Sequence, residues 1–88
     1  MSEAIYRYEL PVDGDWHTLP LSGDVLHVDC RAPGAVEIWA LQTGAPGLQR
    51  SFQVVGTGQP LPEGWKWHVG TCLSPDRQLV WHVVEREL

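Results

Sequence analysis

Proline or glycine interrupts almost every window of this chain long enough for three helical turns, and that spacing constrains the fold more than any other feature. The 88 residues hold nine glycines and seven prolines. Between these breaks lie short runs rich in β-branched and aromatic residues, the pattern of an all-β sandwich or barrel. Seven strands are expected. They are "AIYRYEL" (4–10), "WHTLPL" (16–21), "VLHVDCR" (25–31), "AVEIWALQ" (35–42), "RSFQVVG" (50–56), "WHVGTCL" (67–73) and "QLVWHVVE" (78–85). At about ten residues per strand the order reads as a meander. The expected fold is a single all-β domain over residues 1–88, an antiparallel sandwich or partly open barrel without substantial helix.

The turns are marked by their residues. Asp13-Gly14 is a hairpin signal between the first two strands. Pro20 assigns the second strand to an edge, because proline cannot donate to a ladder. "AVEIWALQ" is apolar on both sides apart from Glu37, which places it centrally. "TGAPG" (43–47) is a loop, Gly56 to about Lys66 is a long one, and Pro75-Asp76 suits the central positions of a type I turn.

Composition narrows the function classes. Forty-three per cent of residues are hydrophobic, and the net charge is −5 with six Lys and Arg scattered singly. That balance disfavours a DNA or RNA polymer as partner, since a duplex binder carries a basic stripe. The start "MSEAIYRYEL" is charged and lacks an apolar run, so no signal peptide is expected, and no stretch reaches the ~18 residues of a membrane-spanning helix. The expected compartment is a reducing cytoplasm, with Cys30 and Cys72 as inert core thiols rather than a disulfide.

Four residue sets invite chemistry. The Gly56-Thr57-Gly58 loop follows a strand, as phosphate loops do. Pro60, Pro62 and Gly64 then exclude the helix that the dinucleotide and P-loop motifs both require. Two readings stay open: an anion nest of successive amides, or a bulge or turn that needs positive φ. Of the four histidines, His68 and His82 are expected to face one another across a hairpin. With His27 they would be the ligands of a metal-dependent hydrolase, although nothing in the spacing forces three donors together. Cys72, His68 and Asp76 make a triad only as letters, so no catalytic residue is assigned and no cofactor is expected. Finally there are five tryptophans. Trp39 and Trp81 are expected in the core, and Trp65 on the surface. The pleat is expected to send Trp67 with Val69 and Thr71, and His68 with Gly70 and Cys72. If the long loop folds over the sheet, Arg50, Gly56, Thr57, Gly58, Trp65 and Trp67 would line one binding surface.

The segments "IYRYELPVDG", "VLHVDC", "WALQ", "RSFQVVGTGQPLP", "HVGT" and "LVWHVVE" together resemble a family of short phage- and prophage-encoded proteins classed as a domain of unknown function. The resemblance covers nearly the whole chain. It implies a small protein of viral origin, made in an actinobacterial or similar host, and it carries over no catalytic residue. Members often have His after Gly-Thr-Gly, where this chain has Gln59. By analogy with other small phage proteins, the expected role is non-enzymatic binding, to a host protein or to its own copies as a homo-oligomer. Sequestration of a small anion or nucleotide is the alternative.

Overall fold

The computed structural model describes residues 3–44 and 48–88. The expected loop at 43–47 therefore falls partly outside the described residues. Seven strands are present: β1 (Ala4–Pro11), β2 (His17–Leu19), β3 (Val25–Ala32), β4 (Ala35–Gln42), β5 (Arg50–Gly56), β6 (Trp67–Leu73) and β7 (Val80–Arg86). They form two antiparallel sheets, one of three strands in the order β1-β4-β3 and one of four in the order β2-β5-β7-β6. The all-β expectation holds, and the architecture is a sandwich, not a closed barrel. No helix among the described residues is long and apolar enough to cross a membrane.

The order is not a meander. Only β3–β4 and β6–β7 are sequence neighbours that pair. Asp13-Gly14 does not close a hairpin either; it carries the chain from the three-stranded sheet to the four-stranded one. The Asp13 carboxylate accepts from the Asp15 amide at 3.0 Å and contacts His17 Nε2 at 2.9 Å, which fixes this corner without strand pairing. The central placing of β4 and the edge placing of β2 are both correct.

The core lies between the sheets. Leu10, Val28, Cys30, Val36, Ile38 and Ala40 project from the first sheet, and Phe52, Val54, Cys72 and Val83 from the second. Strand alternation explains this set: β4 sends Val36, Ile38 and Ala40 inward, and the residues between them outward. Trp39 is one of those outward residues, so it is not in the core as expected. It lies half-buried on the outer face, with the Arg31 guanidinium 5.5 Å above its ring and His27 5.5 Å to the side. Glu37, next along that face, is buried under Arg31 and Arg7, which both donate to its carboxylate. Trp81 packs against the core as expected. Both cysteines are buried and free, and burial pushes the Cys72 thiol up to about 11.

Two local features set the geometry that matters below. Gly70 brings β6 close against β3: a Cβ there would lie 2.5 Å from Val28 Cγ2. Immediately before it the ladder with β7 shifts, so that His68 pairs with Val84 but Gly70 pairs with Val83. This bulge at Val69 breaks the simple alternation expected for β6. Thr71 therefore joins His68 on the outer face, and Gly70 and Cys72 turn to the core.

Candidate functional site

Part of the outer face of the four-stranded sheet is covered, while His68, Thr71 and Leu73 on it are exposed. Gln53, Val55 and Val84 project from it, yet all are buried. The Gly56–Lys66 loop covers them. It begins with a tight turn in which the Gln59 amide donates to the Gly56 carbonyl at 3.0 Å, with Gly58 at φ 88°. That conformation is open to glycine and costly for other residues. Pro60, Leu61 and Pro62 then run alongside Gln53 and Val55. A second turn, with Gly64 at φ 88°, brings Trp65 round. The Lys66 amide donates to the Glu85 carbonyl at 2.8 Å and returns the chain to the sheet.

Between loop and sheet lies a cavity of ≈ 280 Å³. Its apolar walls include Val55, Leu61, Trp65 and Val84, and His68 and His82 stand in it. The polar groups form a continuous line. His82 Nε2 is 2.8 Å from Thr57 Oγ1, His82 Nδ1 is 3.0 Å from Thr71 Oγ1, and Thr71 Oγ1 is 3.0 Å from His68 Nε2. Thr57 Oγ1 in turn donates to the Val80 carbonyl at 3.4 Å. A few convergent polar groups in an otherwise apolar cleft are the usual marks of a binding site. A second cavity, of ≈ 190 Å³, lies beside Cys30, Ser74, Asp76 and Trp81. There Ser74 and Asp76 bond each other and the turn amides of Gln78 and Leu79.

The structure brings together Gly56, Thr57, Gly58 and Trp65, as the sequence suggested. It does not bring Arg50 to them. Arg50 begins β5, on the face that looks into the sandwich. Its Nε and Nη2 donate to the two Glu85 carboxylate oxygens at 2.7 and 2.9 Å, and Nη1 donates to the Gly23 carbonyl at 2.5 Å. Trp67 is also outside the cavity. It pairs opposite Glu85, on the other face of β6 from His68, and the Lys66 ammonium lies 5.5 Å from its ring.

The open question over Gly-Thr-Gly resolves to a turn. The Gly56 amide donates to the Gln59 side chain at 2.7 Å, and the Thr57 amide to the Val80 carbonyl at 3.1 Å. Two of the three amides of the expected nest are thus already engaged. The three-histidine set does not assemble, because His27 packs at a tilt against Trp39 in the other sheet. Among the described residues no three of His, Cys, Asp and Glu come together as a metal set. Cys72 and His68 face opposite sides of β6, so no thiol–imidazole pair forms. Thr71 was missed from sequence; the only local signal for the bulge is Gly70 in mid-strand.

A family model for a domain of unknown function, DUF7352, matches residues 1–88. The chain belongs to the DUF7352 family. The family description assigns no activity, so the cavity and its residues carry the functional argument. Searches of the curated proteins and of the solved structures return no match.

Proposed function

We propose that this DUF7352 chain is a small non-enzymatic binding domain of phage type. It works in the cytoplasm of a bacterial host through protein–protein contacts, with a host factor or with a second copy of itself. The contact is made by the Gly56–Trp65 loop and the cavity beneath it. The observation that carries this reading is the loop-covered cleft with apolar walls, of a size for a partner's apolar or aromatic side chain. Trp65 is 41% exposed and Leu61 49% exposed at its mouth. Aromatic anchors bordering a water-excluding pocket are where binding energy concentrates at interfaces. Leu73, on the same outer face of β6, is also exposed.

The test is capture from host lysate alongside a measurement of mass in solution, for the native chain and for Trp65→Ala. A specific partner or a defined oligomer that Trp65→Ala loses supports the proposal. A monomer that recovers only itself at saturating bait, or capture indifferent to Trp65, sinks it.

A second reading has one observation in its favour, the hydrogen-bonding line Thr57–His82–Thr71–His68 on the cavity floor. Such a floor suits a small polar ring. A nucleotide would enter by its base, because Arg50 is committed to Glu85 and is not available to a phosphate. Thermal-shift screening against nucleosides and nucleotides tests this. A ligand at 100 times its dissociation constant stabilises the fold by ~2.7 kcal/mol, and the absence of any shift removes the reading.

A further inference from the structure

We propose that His68 and His82 form a two-histidine site for a late first-row divalent ion, Cu²⁺ or Zn²⁺, open on the side of the cavity. The inference is independent of the protein-contact reading. His68 Nε2 and His82 Nδ1 are 3.4 Å apart. Two imidazole nitrogens bound to one tetrahedral ion at ~2.0–2.1 Å are separated by about 3.3–3.4 Å. The spacing is thus already that of a chelate, and neither ring has to move along its strand. As a hydrogen bond the same contact would be redundant, since Thr71 Oγ1 sits 3.0 Å from both nitrogens. The rings do not stack: their centroids are 5.5 Å apart and their planes are 58° to one another.

The surroundings of His82 favour the tautomer that chelation needs. His82 Nε2–H donates to Thr57 Oγ1 at 2.8 Å, and the Thr57 hydroxyl donates onward to the Val80 carbonyl. That leaves the Nδ1 lone pair of His82 aimed at His68. A ligand histidine whose second nitrogen is held by an outer partner is the common pattern at metal sites. The Val69 bulge turns Thr71 beside His68, so that its hydroxyl lies 3.0 Å from both nitrogens. Imidazole pairs suit copper and zinc, and copper binds more strongly in that series. With only two nitrogens from the chain, the remaining positions go to water or to a group entering the cavity. The site is therefore exchangeable, not structural.

The experiment is a Cu²⁺ titration of the full chain, followed by calorimetry and electron paramagnetic resonance. One ion per chain is expected, with coupling to two nitrogens. His68→Gln and His82→Asn each reduce binding to the level of a single imidazole, and His27→Gln and His17→Gln leave it unchanged. Thr57→Val, which keeps both ligands, weakens it by about tenfold. Circular dichroism of each variant establishes that the fold is retained. Where a His82 variant unfolds, His68→Gln alone decides, because His68 is exposed. Two-nitrogen binding that survives His68→Gln, or is lost with His17→Gln, overturns the proposal. So does an affinity of the native chain no better than one imidazole.

Discussion

Replacing Arg50 by alanine distinguishes a ligand-binding arginine from a structural one. Arg50 makes a two-pronged contact with Glu85, and its third nitrogen holds the Gly23 carbonyl, so one side chain ties β5 to β7 and to the segment before β3. Its side chain is 29% exposed, and that of Glu85 only 11%. Breaking a fully buried pair costs about 3–5 kcal/mol, because a charge is left without its partner. Water reaching the exposed part of Arg50 reduces that by roughly half, and the lost bond to the Gly23 carbonyl adds about 1 kcal/mol. The expected loss is about 2.5–3.5 kcal/mol. A domain of this size has a total stability of roughly 4–13 kcal/mol. The melting temperature should fall by about 10–28 °C at ~4–8 °C per kcal/mol. Urea unfolding should show a lower midpoint with an unchanged slope. Arg50→Met combined with Glu85→Leu should recover part of the loss, since it removes the orphaned carboxylate as well. A melting shift of less than about 2 °C in Arg50→Ala would refute the structural account. So would a double variant that is no better than the single one.

Three further outcomes are expected. Gly70→Ala drives a methyl group into Val28 and should cost about 1–3 kcal/mol in urea unfolding, with Val28→Ala in the same chain restoring part of it. The Glu37 carboxyl, hydrogen-bonded by Arg31 and then by Arg7, is held at about 2, below its ordinary 4.5. Its stabilising contribution is therefore complete above about 4.5 and is lost as pH falls toward 2. Melting temperatures across that window should decline less steeply in Glu37→Gln than in the native chain, and parallel curves would contradict the assignment. Gln59→Ala leaves the Gly56 amide without its acceptor at the mouth of the cavity, at a cost of about 1 kcal/mol. Hydrogen exchange at Gly56 should quicken while the core of β7 stays protected, and unchanged exchange would show that the side chain does not hold the turn.

Much of the fold is legible locally. Period-two alternation, bounded by proline and glycine, gives β4, β5 and β6 at their observed ends, and the others to within one or two residues. The surplus of apolar residues around Glu37 marks β4 as central, and Pro20 marks an edge. Turn chemistry is legible for the same reason. The Ser74-Pro75-Asp76-Arg77 turn closes with the Arg77 amide donating to the Ser74 carbonyl at 2.9 Å, as Pro75-Asp76 implies. These features depend on φ preferences and side-chain alternation, which each residue carries with it.

The site was legible only in part. Trp65 and the Gly-Thr-Gly turn stand where the sequence pointed, and His68 faces His82 across β6 and β7. The sequence alone determined seven strands, the Ser74–Arg77 turn, a net acidic charge and the absence of a helix behind Gly-Thr-Gly. Tertiary structure decided which strands share a sheet, because pairing partners such as β2 with β5 lie some thirty residues apart and no local preference encodes that choice. It decided that Arg50 serves Glu85 rather than a ligand, because an arginine's partner is set by what the fold carries within reach of it. It also decided that Thr71 joins the histidines. One extra residue at Val69 reverses the faces of everything after it on β6, and it stands beside the close packing of Gly70 on Val28, a contact between sheets that no local preference encodes.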